Sequence, residues 1–456
     1  MSDVSTKHPE WIDHQDEWAM MRAAARGERA IKEAGEEYLP MPSGFKAQAD
    51  GGRAMYAAYQ KRAQFAEIVA PTIRGMIGVI HRTEAQISMP KAMEGLWEKA
   101  TADGLPLEAL HRRITGELLL MGRYSLLADA SAQGSDLPWL AGYTTEALIN
   151  WSTARDFFVL DESGVQREGF QWREKKSYRV LEMEKGRYTV ATYTGTEDAA
   201  EDNQPTARGG AALTEIPFVV IGSKDLSVSP DEPPLIGVAR CALAMYRLDA
   251  DYRHQLYMSG QETLVIINGD APSAVGAGVV LTLKASKDDH PPDAKYVGPA
   301  GTGIAAHREA IQDERENAAA AGARLFDAEK KSAESGDALR IRYAAQTATL
   351  TSIAQASAQG LEKALRHIAV MIGARPDEVV VKPNLSFVDA GLTPREAVEL
   401  VGLWQSGALS KQTVYENLQR GEIASAERSY EEEQELITAE GAGLGDADII
   451  NNADDE

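Results

Sequence analysis

The sequence is poor in the features that mark secreted, membrane-spanning or nucleic-acid-coating proteins. Its 456 residues include one cysteine, Cys241, so no disulfide forms within the chain and a reducing compartment is expected. No run of about 18 or more apolar residues occurs, so we expect no membrane span, and the first twenty residues lack the apolar stretch of a signal peptide. Positive charge is also scarce, since 47 Lys and Arg face 69 Asp and Glu for a net charge of −22. Such an acidic chain is unsuited to simple tight binding of nucleic acid.

Recognisable catalytic and cofactor motifs are missing too. The chain contains no G-x-x-x-x-G-K-[ST] phosphate loop and no H-E-x-x-H zinc motif. A single cysteine cannot supply a Cys/His zinc cluster. We therefore expect a protein that is not an enzyme, with no catalytic residue, no cofactor and no metal. The alternative from another class is a metal-dependent enzyme that acts on nucleic acid through an unrecognised carboxylate site.

Helical and β-rich patterns share the first half of the chain. Residues 10–35 and 53–125 have helical periodicity. Between about 157 and 222 the composition becomes β-rich, with a hairpin expected around Glu184–Lys185–Gly186 and a strand over Ile216–Gly222. The chain has 456 residues, of which 44% are hydrophobic, so it is long and apolar enough to bury a proper core. The expected class is α+β, mainly α.

The second half alternates long helices with short segments. In order, the patterns predict a helix over 233–262, a β segment over 263–302, a helix of roughly 40 Å over 303–328, a polar loop over 329–337, a long helix and a strand over 338–390, and two short helices with a mobile acidic tail over 391–456. Gly360 is a point where the longest helix is free to bend. Ser410 is placed to cap the second of the short helices.

One of these helices carries negative charge along a single face. Glu309, Asp313 and Glu316 fall at i, i+4 and i+7, on the side opposite Ile311. An ordinary solvated face explains this pattern. The functional interpretation is that the stripe lines an acidic channel, because carboxylates repel phosphates and leave a duplex free to slide.

The order of these elements is accompanied by a set of local phrases. They include "HPEWIDHQDEW", "EEYLPMPSGF", "GELLLMGRYSLLAD", "EPPLIGVARCALAMYRLDADYRHQLYMSGQETLVIIN" and "LVGLWQSGALSKQTV", and they extend from about residue 8 to 425. Taken in this order, the chain resembles the portal proteins of tailed bacteriophages, in particular a portal subfamily long catalogued only as a domain of unknown function. No single phrase is diagnostic; the order is what is specific. The acidic C-terminal end lies outside the resemblance.

The resemblance implies a head-to-tail connector that works as a channel in the virion. The chains would form a ring of about twelve subunits at one capsid vertex after synthesis in the bacterial host cytoplasm. Double-stranded DNA would pass through it without sequence preference during packaging and ejection. The terminase large subunit and later the neck or head-completion proteins would dock on it, beside the major capsid and scaffolding proteins, and no membrane is involved. Another phage structural component, such as a neck or tail adaptor, is the alternative within this class.

Portal architecture also implies a division of the chain. Residues 1–232 and 338–390 would form the wing, 233–262 and 303–328 the two stem helices, 263–302 the clip, 329–337 the tunnel loop and 391–456 the crown. The implied functional residues are Glu309, Asp313 and Glu316 as channel lining, Lys330, Lys331, Ser332, Glu334 and Ser335 in the tunnel loop, and Lys284, Lys287, Asp288 and Asp289 as a docking surface on the clip. A plain helix connection and a plain solvated turn are the simpler interpretations of the last two groups.

Overall fold

A computed structural model of the chain describes most of its length. The described residues are 3–130, 137–195, 199–260, 263–268, 292–298, 303–322, 336–385, 387, 394–420, 423–425 and 428–444. They belong to two units, Met1–Asn384 and Leu385–Glu456.

The described residues form eleven α-helices and fourteen short strands. The helices are α1 (Pro9–Arg26), α2 (Glu28–Glu33), α3 (Arg53–Arg62), α4 (Val69–Ile80), α5 (Leu107–Met121), α6 (Ile236–Ser259), α7 (Gly303–Ala320), α8 (Gly336–Ile372), α9 (Pro394–Gln405), α10 (Lys411–Arg420) and α11 (Tyr430–Leu444). The strands are β1 (Gln86–Ser88), β2 (Arg123–Asp129), β3 (Trp139–Thr144), β4 (Leu148–Trp151), β5 (Phe157–Asp161), β6 (Gly164–Glu168), β7 (Gln171–Lys175), β8 (Ser177–Glu184), β9 (Arg187–Thr194), β10 (Ala199–Asn203), β11 (Phe218–Gly222), β12 (Thr263–Ile267), β13 (Asp293–Val297) and β14 (Val380–Lys382). The class is α+β with more helix than strand, as the sequence predicts.

Every strand pairing in the described residues is antiparallel. The largest sheet has the order β10-β9-β8-β5-β4, a second has the order β11-β2-β3, and three further sheets are pairs: β1 with β14, β6 with β7, and β12 with β13. The predicted hairpin around Glu184–Lys185–Gly186 is confirmed. Lys185 and Gly186 join β8 to β9 with φ values of 50° and 76°, as a type I′ turn requires.

Two glycines end helices inside the segments 10–35 and 53–125, which the sequence analysis predicts to be helical. Gly27, with φ 88°, separates α1 from α2, and a Cβ there would meet the Glu67 carboxylate at 2.5 Å. Gly122, with φ 73°, ends α5 against the backbone oxygen of Asp231. The prediction of helix up to residue 125 is therefore wrong, because β2 begins at Arg123. A short apolar run suits a buried strand as well as a buried helix.

The longest helix, α8, is the element on which the first unit is packed. Its 37 residues make it about 55 Å long, and it packs on α5, β2 and β11. Apolar side chains at helical spacing form a buried stripe along α8, which includes Leu350, Ile353, Leu361, Leu365, Ile368 and Met371. Gly360 lies inside an unbroken helix. A Cβ at Gly360 would lie 2.5 Å from Cγ1 of Ile221, so this glycine lets α8 approach β11 closely.

Ser357, which interrupts that stripe, belongs to a buried polar chain. Its hydroxyl lies 3.1 Å from the Thr115 hydroxyl, which lies 2.9 Å from Nε2 of His81. The His81 and His111 rings meet edge to face at 4.8 Å between centroids. Burial lowers the pKa of His81 to about 4 and, together with the neighbouring His81, that of His111 to about 3. Both imidazoles are therefore neutral in the folded protein at pH 7.

Two arginines fix the N-terminal helix to the body of this unit. Arg22 on α1 makes paired hydrogen bonds of 2.9 Å to both Glu117 and Glu146. Burial alone would lower the pKa of Arg22, but these carboxylates raise it above its ordinary value. Arg123 is fully buried, lies 4.3 Å over the Trp151 ring and donates to backbone oxygens. Burial lowers the pKa of Arg123 to about 9.

The described part of the second unit is helical, and serine residues cap the starts of two of its helices. The sequence predicts one of these caps, at Ser410. Ser410 Oγ accepts a hydrogen bond from the Thr413 amide at the start of α10, which confirms the predicted N-cap. The expectation of a mobile tail from residue 427 is wrong over Tyr430–Leu444, which is helix α11. Ser429 and Glu432 exchange backbone and side-chain hydrogen bonds there, a capping box that initiates the helix.

Candidate functional site

The candidate site is the antiparallel pair α6 and α7, named here the α6–α7 hairpin. The predicted helix from Pro233 to Gly260 is confirmed as α6. Its first two-thirds carry the buried residues Ile236, Val238, Ala239, Ala242, Leu243, Met245, Tyr246 and Ala250. Beyond Ala250 no residue of α6 is fully buried. One end of the hairpin is therefore anchored in the first unit, and the other is more accessible to solvent.

Helix α3 and the residues after it support the accessible half of α6. The Tyr59 hydroxyl donates to Asp251 at 2.6 Å, and the Gln64 amide donates to Asp249 at 2.7 Å. The Arg62 guanidinium lies 4.0 Å over the Tyr257 ring. Burial, and then the Asp251 carboxylate, raises the pKa of Tyr59 well above its ordinary range. These contacts hold α6 in place between Asp249 and Tyr257.

The seam between the two helices is narrow and has coiled-coil spacing on α7. Ile304, His307, Ile311, Glu314 and Ala318 are among the less exposed positions of α7, which also include Ala310 and Ala319, and these five are spaced 3, 4, 3 and 4 residues apart. Two glycines permit close approach at the two ends of the seam. A Cβ on Gly237 would lie 3.1 Å from Ala321, and one on Gly303 would lie 2.8 Å from Gln255.

Cys241 lies in this seam instead of in the apolar core. It is half-buried on α6, close to Glu314 of α7. Burial, followed by the neighbouring Glu314 carboxylate, raises the pKa of the Cys241 thiol. The thiol is therefore protonated at neutral pH. Sequence reasoning missed this pair, although Glu314 shares the heptad spacing of Ile311 and Ala318.

The opposite side of α7 carries the acidic stripe that the sequence analysis identifies. Glu309, Asp313 and Glu316 are exposed, and Glu316 accepts a hydrogen bond from Gln312 at 3.3 Å. The exposed Arg308 and Arg315 lie on one flank, between the seam and the acidic stripe. The helix thus presents a packed face, a cationic flank and an acidic outer face. That these acids line a channel stays a prediction.

The predicted length of this second helix is wrong. It was expected to continue to about residue 328, but α7 ends at Ala320 after 18 residues, or about 27 Å. Gly322 takes φ 136° and lies against Leu235, so the chain turns at the anchored end of the hairpin. A backbone in that region cannot continue a right-handed helix.

A short β pair follows the accessible end of the hairpin, as the sequence predicts for part of 263–302. Strands β12 and β13 pair from Thr263↔Val297 to Ile267↔Asp293. The exposed large apolar side chains of this end are Leu256, Tyr257, Met258, Ile267, Tyr296 and Val297. Sequence reasoning missed this cluster, because its members lie on a helix and on two strands. These elements come together only where the strands follow the accessible end of the α6–α7 hairpin.

Several predicted site residues lie outside the described residues. They are Lys284, Lys287, Asp288 and Asp289 of the predicted clip surface, and Lys330, Lys331, Ser332, Glu334 and Ser335 of the predicted tunnel loop. Their assignments therefore stay predictions.

The described part of the chain offers no cluster of three or more His, Cys, Asp or Glu that could hold a metal ion. Within the same part, no helix is both long and apolar enough to cross a membrane.

A family model of unknown function matches the part of the chain that contains the α6–α7 hairpin. The family described as a domain of unknown function (DUF4055) matches residues 234–371, less than a third of the chain. No curated protein matches the chain. Among solved structures, the chain is similar to one from the neck of an empty GTA particle computed with C6 symmetry, at 15% identity and a TM-score of 0.41, over 85% of this chain and 96% of that one. So distant a likeness carries no argument about function.

Proposed function

We propose that this chain is a head-to-tail structural protein of a bacteriophage, and specifically a subunit of the portal. About twelve copies would close into a ring at one capsid vertex, through which double-stranded DNA is packaged and ejected. The terminase large subunit and later the neck or head-completion proteins dock on the ring. The observation that carries the proposal is the α6–α7 hairpin, in which α7 packs one face on α6 and exposes an acidic face on the other side.

The acidic face has the electrostatics that a DNA channel needs. Each phosphate that a Lys or Arg neutralises releases counterions, so several such contacts bind a duplex tightly and hold it in place. The carboxylates of Glu309, Asp313 and Glu316 are negatively charged, so they neutralise no phosphate. Repeated around a ring, they repel the backbone from every side and keep the duplex centred, so that it slides.

The cationic flank of α7 suits contact with a neighbouring copy. In a ring of identical hairpins, the flank of one α7 faces the next hairpin. Arg308 and Arg315 are exposed there, within reach of the next copy's carboxylates. Such charge pairs contribute less to affinity than to setting the register between subunits.

The accessible end of the hairpin suits a docking role. Its apolar side chains, among them Tyr257, Tyr296 and Val297, are between one third and two thirds exposed. Aromatic and methionine side chains are enriched at the centres of protein–protein interfaces. The motor and the neck proteins would bind this end in turn, together with the predicted clip surface.

The channel is tested by reversing its charge. The triple variant Glu309→Lys/Asp313→Lys/Glu316→Lys is expected to assemble like the wild type but to retain linear duplex DNA. Its DNA affinity should fall steeply with salt, with a log–log slope that steepens by about 0.9 for each phosphate contacted. Wild-type rings should show little retention of the same DNA. In a packaging assay, DNA translocation through rings of the variant should stall.

Closed circular DNA of the same sequence separates threading from surface binding, because a circle cannot enter a closed ring. A matched control, Asp13→Lys/Glu36→Lys/Glu98→Lys, makes the same charge change at exposed acids elsewhere in the first unit. Equal retention of linear DNA by the control, or of circular DNA by the channel variant, would contradict the assignment of α7 to the channel.

A further inference from the structure

Strands β6 and β7 form a separate hairpin, named here the β6–β7 hairpin, that contributes nothing to the core. Every residue of both strands is exposed, and among the described strands they pair only with each other. Gly169 and Phe170 connect them, and Gly169 takes φ 63°, which suits the first central position of a type II′ turn. An isolated two-stranded hairpin is marginally stable in water, so a partner that covers it would add much to its order.

The apolar side chains of the β6–β7 hairpin converge on one face and the tip. The register Val165↔Glu174 and Arg167↔Trp172 places Val165 and Trp172 on the same face. Phe170 at the tip is 99% exposed, Trp172 66% and Val165 64%. Together they expose on the order of 300 Å² of apolar surface. Exposed apolar side chains gathered on one small hairpin, two of them aromatic, are characteristic of an interaction site.

The charge of the β6–β7 hairpin is opposite to that of the chain. Residues 164–175 contain three cations and two carboxylates, a net charge of +1, whereas the whole chain carries −22. Arg173 pairs with Glu168 at 3.1 Å. Arg167 borders Trp172 on the apolar face, and Lys175 and Lys176 lie at the base. A partner surface that is complementary to this patch would be acidic with an apolar centre.

We infer that the β6–β7 hairpin docks on a second copy of this chain and is a contact between neighbouring subunits of the ring. Charge complementarity favours this occupant, because the hairpin carries +1 and the remainder of the chain carries −23. The area of the exposed apolar patch also favours a second copy as the occupant. A stable two-protein interface buries about 800 Å² on each side, so this patch suits one of several contacts that a closed ring makes between the same two chains. The inference rests on the proposed function.

Photocrosslinking identifies the occupant directly. The photoreactive amino acid p-benzoylphenylalanine replaces Phe170 in the full-length chain, and isotopically heavy and light copies are mixed before assembly. Irradiation is expected to give crosslinked peptides that join a heavy chain to a light one, with the acceptor in an acidic segment. The matched control places the same amino acid at Gln171, which the register puts on the other face with Glu168, and it should crosslink markedly less.

A pair of substitutions tests the energetic contribution. Phe170→Gln/Trp172→Gln is expected to raise the concentration at which half of the chains are assembled by about tenfold or more. Gln166→Ala/Gln171→Ala, on the opposite face of the same hairpin, should leave it unchanged. Circular dichroism and melting temperature report whether each variant is folded, and since all four side chains are exposed, neither should change.

The outcomes separate this inference from the proposed function. Rings assembled from chains that carry p-benzoylphenylalanine at position 170, and that give no heavy–light crosslink, overturn the inference and leave the portal proposal standing. Crosslinks only to an added capsid or neck protein, or binding of the β6–β7 hairpin to lipid vesicles without crosslinks between copies, overturn it as well. A wild-type chain that is monomeric at every concentration overturns both.

Discussion

The close contact between α8 and β11 decides whether a substitution at Gly360 stabilises or destabilises the protein. The side chain that decides it is Ile221. Replacing Gly360 by alanine removes the flexible residue from the middle of α8, which alone would stabilise the helix by about 1 kcal/mol. The new Cβ, however, would lie 2.5 Å from Cγ1 and 2.9 Å from Cγ2 of Ile221. Ile221 is fully buried, so it cannot move aside without disturbing its neighbours.

The magnitude follows from these two opposing effects. Overpacking a core typically costs about 1–3 kcal/mol. This exceeds the gain in helix propensity, so Gly360→Ala should lower the free energy of unfolding by up to about 2 kcal/mol. In an Ile221→Ala background, the atoms that clash are gone and a cavity is left, so the same substitution should become stabilising by about 1 kcal/mol or more. The coupling energy of the double-mutant cycle should therefore be at least about 1–3 kcal/mol.

The assay is chemical denaturation of the four proteins of the cycle, followed by circular dichroism. Gly78→Ala is the matched control, because Gly78 is an exposed helical glycine whose Cβ would meet nothing within 4 Å. It should stabilise the protein by about 1 kcal/mol. If Gly360→Ala stabilises the wild type as much as Gly78→Ala does, the close approach of α8 to β11 is refuted.

Three further predictions concern other parts of the fold. Because the pKa values of His81 and His111 are lowered to about 4 and 3, the unfolded chain binds more protons below pH 6.5. The free energy of unfolding should then fall by about 1.4 kcal/mol per pH unit and per histidine between about pH 6 and pH 4, and denaturation curves that do not change over this range would contradict the buried pair. Arg22→Met should destabilise the first unit by about 3 kcal/mol, since it leaves two carboxylates facing each other, and a melting temperature equal to that of the wild type would refute the ion-pair argument. Ser429→Ala should weaken the start of α11 by about 1 kcal/mol, seen as faster amide hydrogen exchange at Glu432, and unchanged exchange there would mean that the capping box does not hold the helix.

Much of the fold follows from the sequence because local signals and burial agree. The stripe of α8, the turn at Lys185 and Gly186, the cap at Ser410 and the start of α6 after Pro234 each have one dominant physical cause. The errors fall where tertiary contacts decide. Nothing local distinguishes Gly122, which ends α5 against Asp231, from a glycine inside a helix.

The candidate site was predictable in outline and not in its contacts. The spacing of Glu309, Asp313 and Glu316 is enough to place them on one exposed face, because helical geometry alone fixes it. The β6–β7 hairpin was missed because its strands are polar and show no clean alternation. The signal that could have identified it is the pair Gly169–Phe170 between two five-residue stretches rich in long side chains.

The central claim is that these chains close into a ring whose α7 helices surround a passage for DNA. Electron microscopy of the purified full-length protein tests it most directly, by counting subunits and measuring the central opening. The account predicts a closed ring of about twelve copies, wide enough for a B-form duplex, with the acidic face of α7 on the inner wall. A monomer, an open assembly, or a ring with α7 on its outer surface would contradict it.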